Sequence, residues 1–117
     1  MSQAAVIFHN PNCGTSRKVL AALKDAGVDL EVVEYLKTGW TRPQLEDLLK
    51  AMGARPRDLL RNKGALAGEL GLLEAGATDD AILDAMVAHP VLVERPIVQT
   101  AKGTRLCRPP ETVQQLL

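Results

Sequence analysis

Aromatic side chains are almost missing from this 117-residue chain, which has one Trp, one Tyr and one Phe. Trp40 and Tyr35 stand isolated, so they read as packing residues and not as platforms for stacked nucleotide bases. Charge of one sign is lacking as well. Fourteen basic residues meet 14 acidic ones for a formal net charge of +0, so no overall field draws the chain to nucleic acid or to an anionic membrane. Any anion it binds must be held by a local cluster. Long hydrophobic runs are missing too: the apolar stretch after Met1-Ser2-Gln3 ends at His9 and has no basic segment before it, too short for a signal peptide or a membrane span. A cytoplasmic protein is the expectation. Only two cysteines occur, Cys13 and Cys107, too far apart in sequence for metal-ligand spacing and too few for a disulfide framework. No metal site is expected. In a reducing compartment, catalytic or redox use of a thiol is the better functional reading. Paired carboxylates for acid and base work, a glycine-rich phosphate loop, repeats and low-complexity linkers are all lacking. Val19 stands six positions after Cys13, where a phosphatase-type cysteine loop needs Arg.

The elements that are present suit one domain over 1–117, long enough to bury a core without staples. Ala4 to Phe8 is a short apolar run ended by His9-Asn10-Pro11, as suits a buried central strand. From Thr15 to Ala26, Val19, Ala22, Leu23 and Ala26 keep helical spacing, and Gly27 follows as a helix terminator. Val28 to Leu36, carrying Val32, Val33, Tyr35 and Leu36, is a second strand. Thr41 and Gln44 form a capping box before a helix that presents Leu45, Leu48, Leu49 and Met52 on one face and stops at Gly53. Pro56 to Leu60 adds a turn or two. Between Gly64 and Gly76 the pattern is weak, with Leu70, Leu72 and Leu73 expected to be partly buried. Thr78 with Asp79 and Asp80 opens a further helix, ended by His89-Pro90. Ile97 to Thr100, a turn at Ala101-Lys102-Gly103, and Thr104 to Cys107 read as a hairpin. Pro109-Pro110-Glu111 then starts a short terminal helix through Leu117. This order predicts an α/β fold, a mixed sheet flanked by helices, with a helical insertion between the second strand and the hairpin.

The candidate chemistry centres on His9-Asn10-Pro11-Asn12-Cys13-Gly14-Thr15-Ser16-Arg17. One thiol here sits at the mouth of a helix, where unpaired backbone N–H groups and the positive end of the dipole favour a thiolate. At an ordinary pKa of about 8.5 only roughly 3% of a thiol is ionised at pH 7, and a drop of about two units makes most of it nucleophilic. The alternative is a buried structural cysteine, but the loop and cap residues around it favour the nucleophile. Arg61, Arg95 and Arg108 each border an element end or a proline. A guanidinium fork suits tetrahedral oxyanions, so the three together would grip one and hold a thiolate ionised; the alternative is three ordinary surface charges. His9 either assists Cys13 as an imidazolium or is a hydrogen-bonded loop histidine. Since strand neighbours point to opposite faces, Cys107 is expected to turn away from a site lined by Arg108, which argues against a Cys13–Cys107 disulfide.

The cysteine loop, Leu59-Leu60-Arg61, Thr78-Asp79-Asp80, His89-Pro90, Glu94-Arg95-Pro96-Ile97-Val98 and Gly103-Thr104-Arg105-Leu106-Cys107-Arg108-Pro109 together resemble the glutaredoxin-coupled bacterial arsenate reductases, over nearly the full length. The resemblance implies a thioredoxin-like fold with a cis peptide at Arg95-Pro96. It implies reduction of arsenate to arsenite through a Cys13–arsenate adduct, a role in arsenic detoxification. It also implies Cys13 as nucleophile, His9 and Ser16 as neighbours that tune it, and Arg61, Arg95 and Arg108 as ligands of arsenate or a similar oxyanion. Glutathione would be co-substrate and glutaredoxin partner, with no tightly bound cofactor. The Arg-Pro-Pro-Glu sequence near the end, and an early end after the last arginine, resemble shorter relatives in which arsenate specificity is less secure. Two other functions compete. Cys13-Gly14-Thr15-Ser16 has the C-x-x-S form of a monothiol glutaredoxin, which suits a glutathione-dependent thiol-disulfide oxidoreductase but does not require three arginines. A redox-sensing regulator that binds RNA polymerase would usually carry Cys where Ser16 stands.

Overall fold

Alternation in Ala4–His9 places Ala5 and Ile7 on one buried face, and these six residues form strand β1. The computed structural model describes residues 3–117, and these divide into two compact units, one from the N-terminal part up to Thr38 with Arg95–Leu117, the other Gly39–Glu94. In the first unit β1 is followed by helix α1 (Gly14–Asp25), strand β2 (Asp29–Glu34), the single turn α2 (Tyr35–Thr38) and the hairpin of β3 (Ile97–Thr100) and β4 (Gly103–Leu106). A 3₁₀ helix, Pro110–Leu116, closes it. The sheet runs β2-β1-β3-β4; β1 pairs parallel with β2, and β3 lies antiparallel to both β1 and β4. Parallel pairing of β1 with β2 requires a crossover, and α1 supplies it.

Val19 and Leu23 of α1, Val113 and Leu116 of the 3₁₀ helix, and Ala5, Ile7, Val98 and Cys107 form one buried cluster. Each fully buried Val, Leu or Ile here contributes about 1.5–3 kcal/mol. The carbonyl of Leu116 accepts from Gln3 Nε2 at 3.1 Å and from Thr100 Oγ1 at 3.0 Å, which ties the chain's end to the sheet. That packing fixes the N-terminus of α1 at the end of β1, where Cys13 stands.

The second unit contains α3 (Arg42–Met52), α4 (Pro56–Leu59), α5 (Leu66–Glu69), α6 (Asp79–Ala88) and the 3₁₀ turn Pro90–Leu92. Thr41 and Gln44 close the expected capping box, and Leu45, Leu48 and Leu49 are the buried face of α3. Gly53, at φ 65°, ends that helix in a left-handed conformation open to glycine at little cost. Arg42 pairs with Asp80 and Asp84 of α6, and Leu60 and Val93 form an isolated antiparallel bridge within this unit.

Several expectations are corrected. Tyr35 and Leu36 belong to α2 and not to the second strand: the pairing of β2 with β1 ends at Glu34, opposite His9, and the next four residues form a helical turn in which Tyr35 is buried and Leu36 exposed. Leu72 is buried, but Leu70 and Leu73 are exposed, because the chain leaves α5 at Leu70 and turns. The terminal helix is 3₁₀ throughout, and Cys107 lies one residue beyond β4. Gly14, expected in the loop, is already the first residue of α1.

Candidate active site

Leaving β1 at His9, the chain makes a tight turn. Asn10 O accepts from Cys13 N at 3.1 Å, and Asn10 Oδ1 accepts from Asn12 N at 2.9 Å. Cys13 follows in an extended conformation, φ −99° and ψ 122°, as the cap residue of α1, and Arg17 N donates to its carbonyl at 3.0 Å. Its side chain closes no cap hydrogen bond, so the first-turn amides act on the sulfur as oriented dipoles. The Arg17 guanidinium braces the loop from outside, donating to Pro11 O at 2.9 Å.

Burial opposes ionisation of the Cys13 thiol and is the largest single influence on it. The backbone N–H groups of Ser16 and Thr15, the Arg108 guanidinium and the Arg95 charge together outweigh burial, and the thiol ionises below its ordinary value. Arg108 Nη1 lies 3.8 Å from Cys13 Sγ and donates to Arg95 O at 3.0 Å. The structure therefore brings together three of the expected residues, Cys13, Arg95 and Arg108. Arg95 is buried and Arg108 is exposed.

Ser16 is fully buried, and its Oγ accepts from Asn10 N at 3.1 Å and lies 2.6 Å from His9 Nδ1. Desolvation, with smaller contributions from Arg17 and Lys24, lowers the His9 pKa against the opposing charge of Glu34. This environment weighs against the imidazolium form of His9. A buried ring beside cationic neighbours favours the neutral form, and the short contact pairs His9 Nδ1 with the Ser16 hydroxyl as hydrogen-bond partners. His9, at the end of β1, is hydrogen-bonded and reaches the Cys13 loop through Ser16.

Arg61 belongs to the second unit. Its backbone N–H donates to Leu92 O at 2.7 Å and its Nη1 pairs with Glu94 Oε1 at 2.8 Å, both side chains mostly buried. Glu94 as its partner was missed, because 33 positions separate the two. Asn10 was also missed as a structural residue, although Asn directly before Pro is itself a turn signal.

Cys107 is buried in the apolar cluster, where desolvation pushes its thiol up to about 11. It faces the core and not the Cys13 loop, as the neighbour rule for strands predicts. Iodoacetamide at neutral pH is expected to label Cys13 and to spare Cys107 in the native protein; peptide mass mapping reads this directly, and equal labelling of both would contradict the assigned environments. Among the described residues no group of three or more His, Cys, Asp or Glu is arranged to hold a metal ion, and no helix is long and apolar enough to cross a membrane.

A sequence profile described as the ArsC family matches residues 8–116. The chain belongs to the ArsC family. An arsenate reductase of Synechocystis sp. is 56% identical to it over 112 residues, 96% of this chain and 80% of that protein. An arsenate reductase of Escherichia coli is 47% identical over 111 residues, 95% of this chain and 79% of that protein. The structure is similar to that of an arsenate reductase from Vibrio cholerae, with a TM-score of 0.94, 39% identity and complete coverage of both chains. The mixed sheet flanked by helices is thus the thioredoxin-like fold expected of an ArsC-family chain. Arg95-Pro96 is cis as the resemblance implied, and Arg108-Pro109 is a second cis peptide that it did not imply.

Proposed function

We propose that this ArsC-family chain is an arsenate reductase in which Cys13 attacks arsenate, glutathione is the thiol co-substrate and glutaredoxin the protein partner. The observation that carries this reading is the thiol of Cys13 at the mouth of α1 with the Arg108 guanidinium beside its sulfur. A thiolate and an arsenate anion repel each other, and at neutral pH the substrate is an anion while the nucleophile must be one. Fixed positive charge at one point lowers the repulsion and favours the ionised sulfur.

The Cys13 thiolate forms a sulfur–arsenic bond as one arsenate oxygen leaves, protonated, as water. Glutathione displaces a second oxygen. A glutaredoxin thiol then attacks the glutathione sulfur, so As(V) gains two electrons while glutathione and glutaredoxin end as a mixed disulfide. Hydrolysis releases arsenite and returns the thiolate. Ser16 and His9 tune the sulfur from the loop side, Arg95 and Arg108 bind the oxyanion, and Arg61 joins them in this reading on the family resemblance alone. The cytoplasm is the compartment in which glutathione stays reduced.

Purified protein with glutathione, glutaredoxin, glutathione reductase and NADPH tests the reading. NADPH oxidation is expected only when arsenate is added. Oxidation driven by a disulfide substrate, with none driven by arsenate, would instead establish the thiol-disulfide oxidoreductase.

A further inference from the structure

Asn10 is buried, with 4% of its surface exposed, although it lies in a surface loop between two exposed residues' positions in the turn, Pro11 and Asn12, and the strand end. Three of its polar groups are hydrogen-bonded. Its backbone N–H donates to Ser16 Oγ at 3.1 Å, its carbonyl accepts from Cys13 N at 3.1 Å, and its side-chain Oδ1 accepts from Asn12 N at 2.9 Å. The first bond anchors the turn to the first turn of α1, the second closes it onto Cys13, and the third keeps Asn12 from swinging outward. An Asn side chain bonding the backbone two residues on is a local substitute for a turn hydrogen bond.

We propose that Asn10 is a positioning residue for the nucleophile: its three hydrogen bonds hold Cys13 in the extended cap conformation that aims the sulfur at the helix amides and Arg108. This rests on Cys13 being the nucleophile, but not on what Cys13 attacks. The carbonyl and N–H bonds belong to the backbone and survive substitution. The side-chain bond does not, so residue 10 specifically requires a short side-chain acceptor. A sulfur no longer held in this orientation loses part of the favourable field of the first-turn amides and its contact with Arg108, both of which weaken over the length of a helical turn.

The experiment follows thiolate absorbance of Cys13 against pH, without arsenate, in a Cys107→Ala background. N10A is expected to raise the ionisation midpoint by about one unit, so that about tenfold less thiolate is present at pH values below both midpoints. N10S, whose hydroxyl can accept the same amide proton more weakly, is expected to recover at least half of that shift. In the arsenate assay N10A lowers kcat and leaves KM within about twofold, since no oxyanion ligand is removed. An N10A protein with native circular dichroism and an unchanged midpoint would overturn the proposal, as would N10S behaving like N10A. If N10A does not fold, the native protein decides: the Asn12 amide proton should resist solvent exchange and its chemical shift should follow the Cys13 midpoint. An unprotected amide blind to that titration overturns the proposal. Loss of arsenate turnover in the wild type, with these midpoints as expected, would count against the proposed substrate and leave the role of Asn10 standing.

Discussion

Cys13→Ser is expected to reduce arsenate-dependent turnover to background, while Cys107→Ala keeps most of it. A serine hydroxyl is not ionised at neutral pH, so neither the helix amides nor Arg108 can make it the nucleophile that a low-pKa thiol becomes. Cys107 differs in both respects that matter. With its pKa pushed up to about 11, only roughly one molecule in ten thousand carries the thiolate at pH 7, and the sulfur lies in the cluster formed by Ile7, Val19, Leu23, Val98 and Leu116. Replacing it with alanine removes one buried heavy atom, which costs about 1 kcal/mol of stability, comparable to trimming a buried isoleucine to valine. Steady-state NADPH oxidation on both variants, with thermal unfolding of Cys107→Ala alongside, checks the pair. Equal loss of turnover in both, with native stability, would make Cys107 a resolving thiol, and the two-sided separation of the cysteines would have to be abandoned.

That separation was legible in the residues because it depends only on local geometry. Arg108 is a candidate for the site, Cys107 is its neighbour, and neighbours in an extended chain diverge. The cysteine loop was legible for the same reason: an apolar run, a proline-containing turn and a helical repeat follow each other within residues 4 to 26, and β1 and α1 lie where those signals put them. What escaped was set by residues distant in sequence or by burial. His9 is an ionisable residue beside cations only once β1 and α1 have packed, and its pKa direction follows from that packing. Arg61 meets Glu94 after the intervening helices have folded back. Tyr35 fits a strand by type, but β1 ends opposite Glu34 and leaves Tyr35 no strand partner there, so the chain turns helical. Leu70 and Leu73 looked apolar enough for a core, but α5 is a single turn of four residues and cannot bury a face on both sides.

Removing either arginine near the sulfur is expected to lower catalytic efficiency toward arsenate about ten- to a hundredfold, the loss of about 1.5–3 kcal/mol that a charge-assisted hydrogen bond represents in a partly dry site. Arg108 has two separable effects. It favours the Cys13 thiolate, and in the proposed reaction it binds the oxyanion. Arg108→Ala therefore raises the Cys13 midpoint as well as KM, and the two part company with pH. Above both midpoints the sulfur is ionised in variant and wild type alike, so the deficit that remains there belongs to the oxyanion. Arg108→Lys keeps the charge and loses the planar fork; it is expected to restore most of the midpoint and little of the arsenate binding. Arg95→Lys follows the same logic in a buried setting, where the shorter reach of an ammonium is felt more. Arg61 needs a further control because it is ion-paired with Glu94 at 2.8 Å. Arg61→Ala should raise KM for arsenate, whereas Glu94→Gln breaks the ion pair and keeps the guanidinium. If Glu94→Gln reproduces the full loss, Arg61 acts by holding its own unit together and not on the substrate. If all the arginine variants keep wild-type efficiency at every pH, fixed positive charge is not what lets this thiolate approach an anion, and the arsenate reading loses its physical basis.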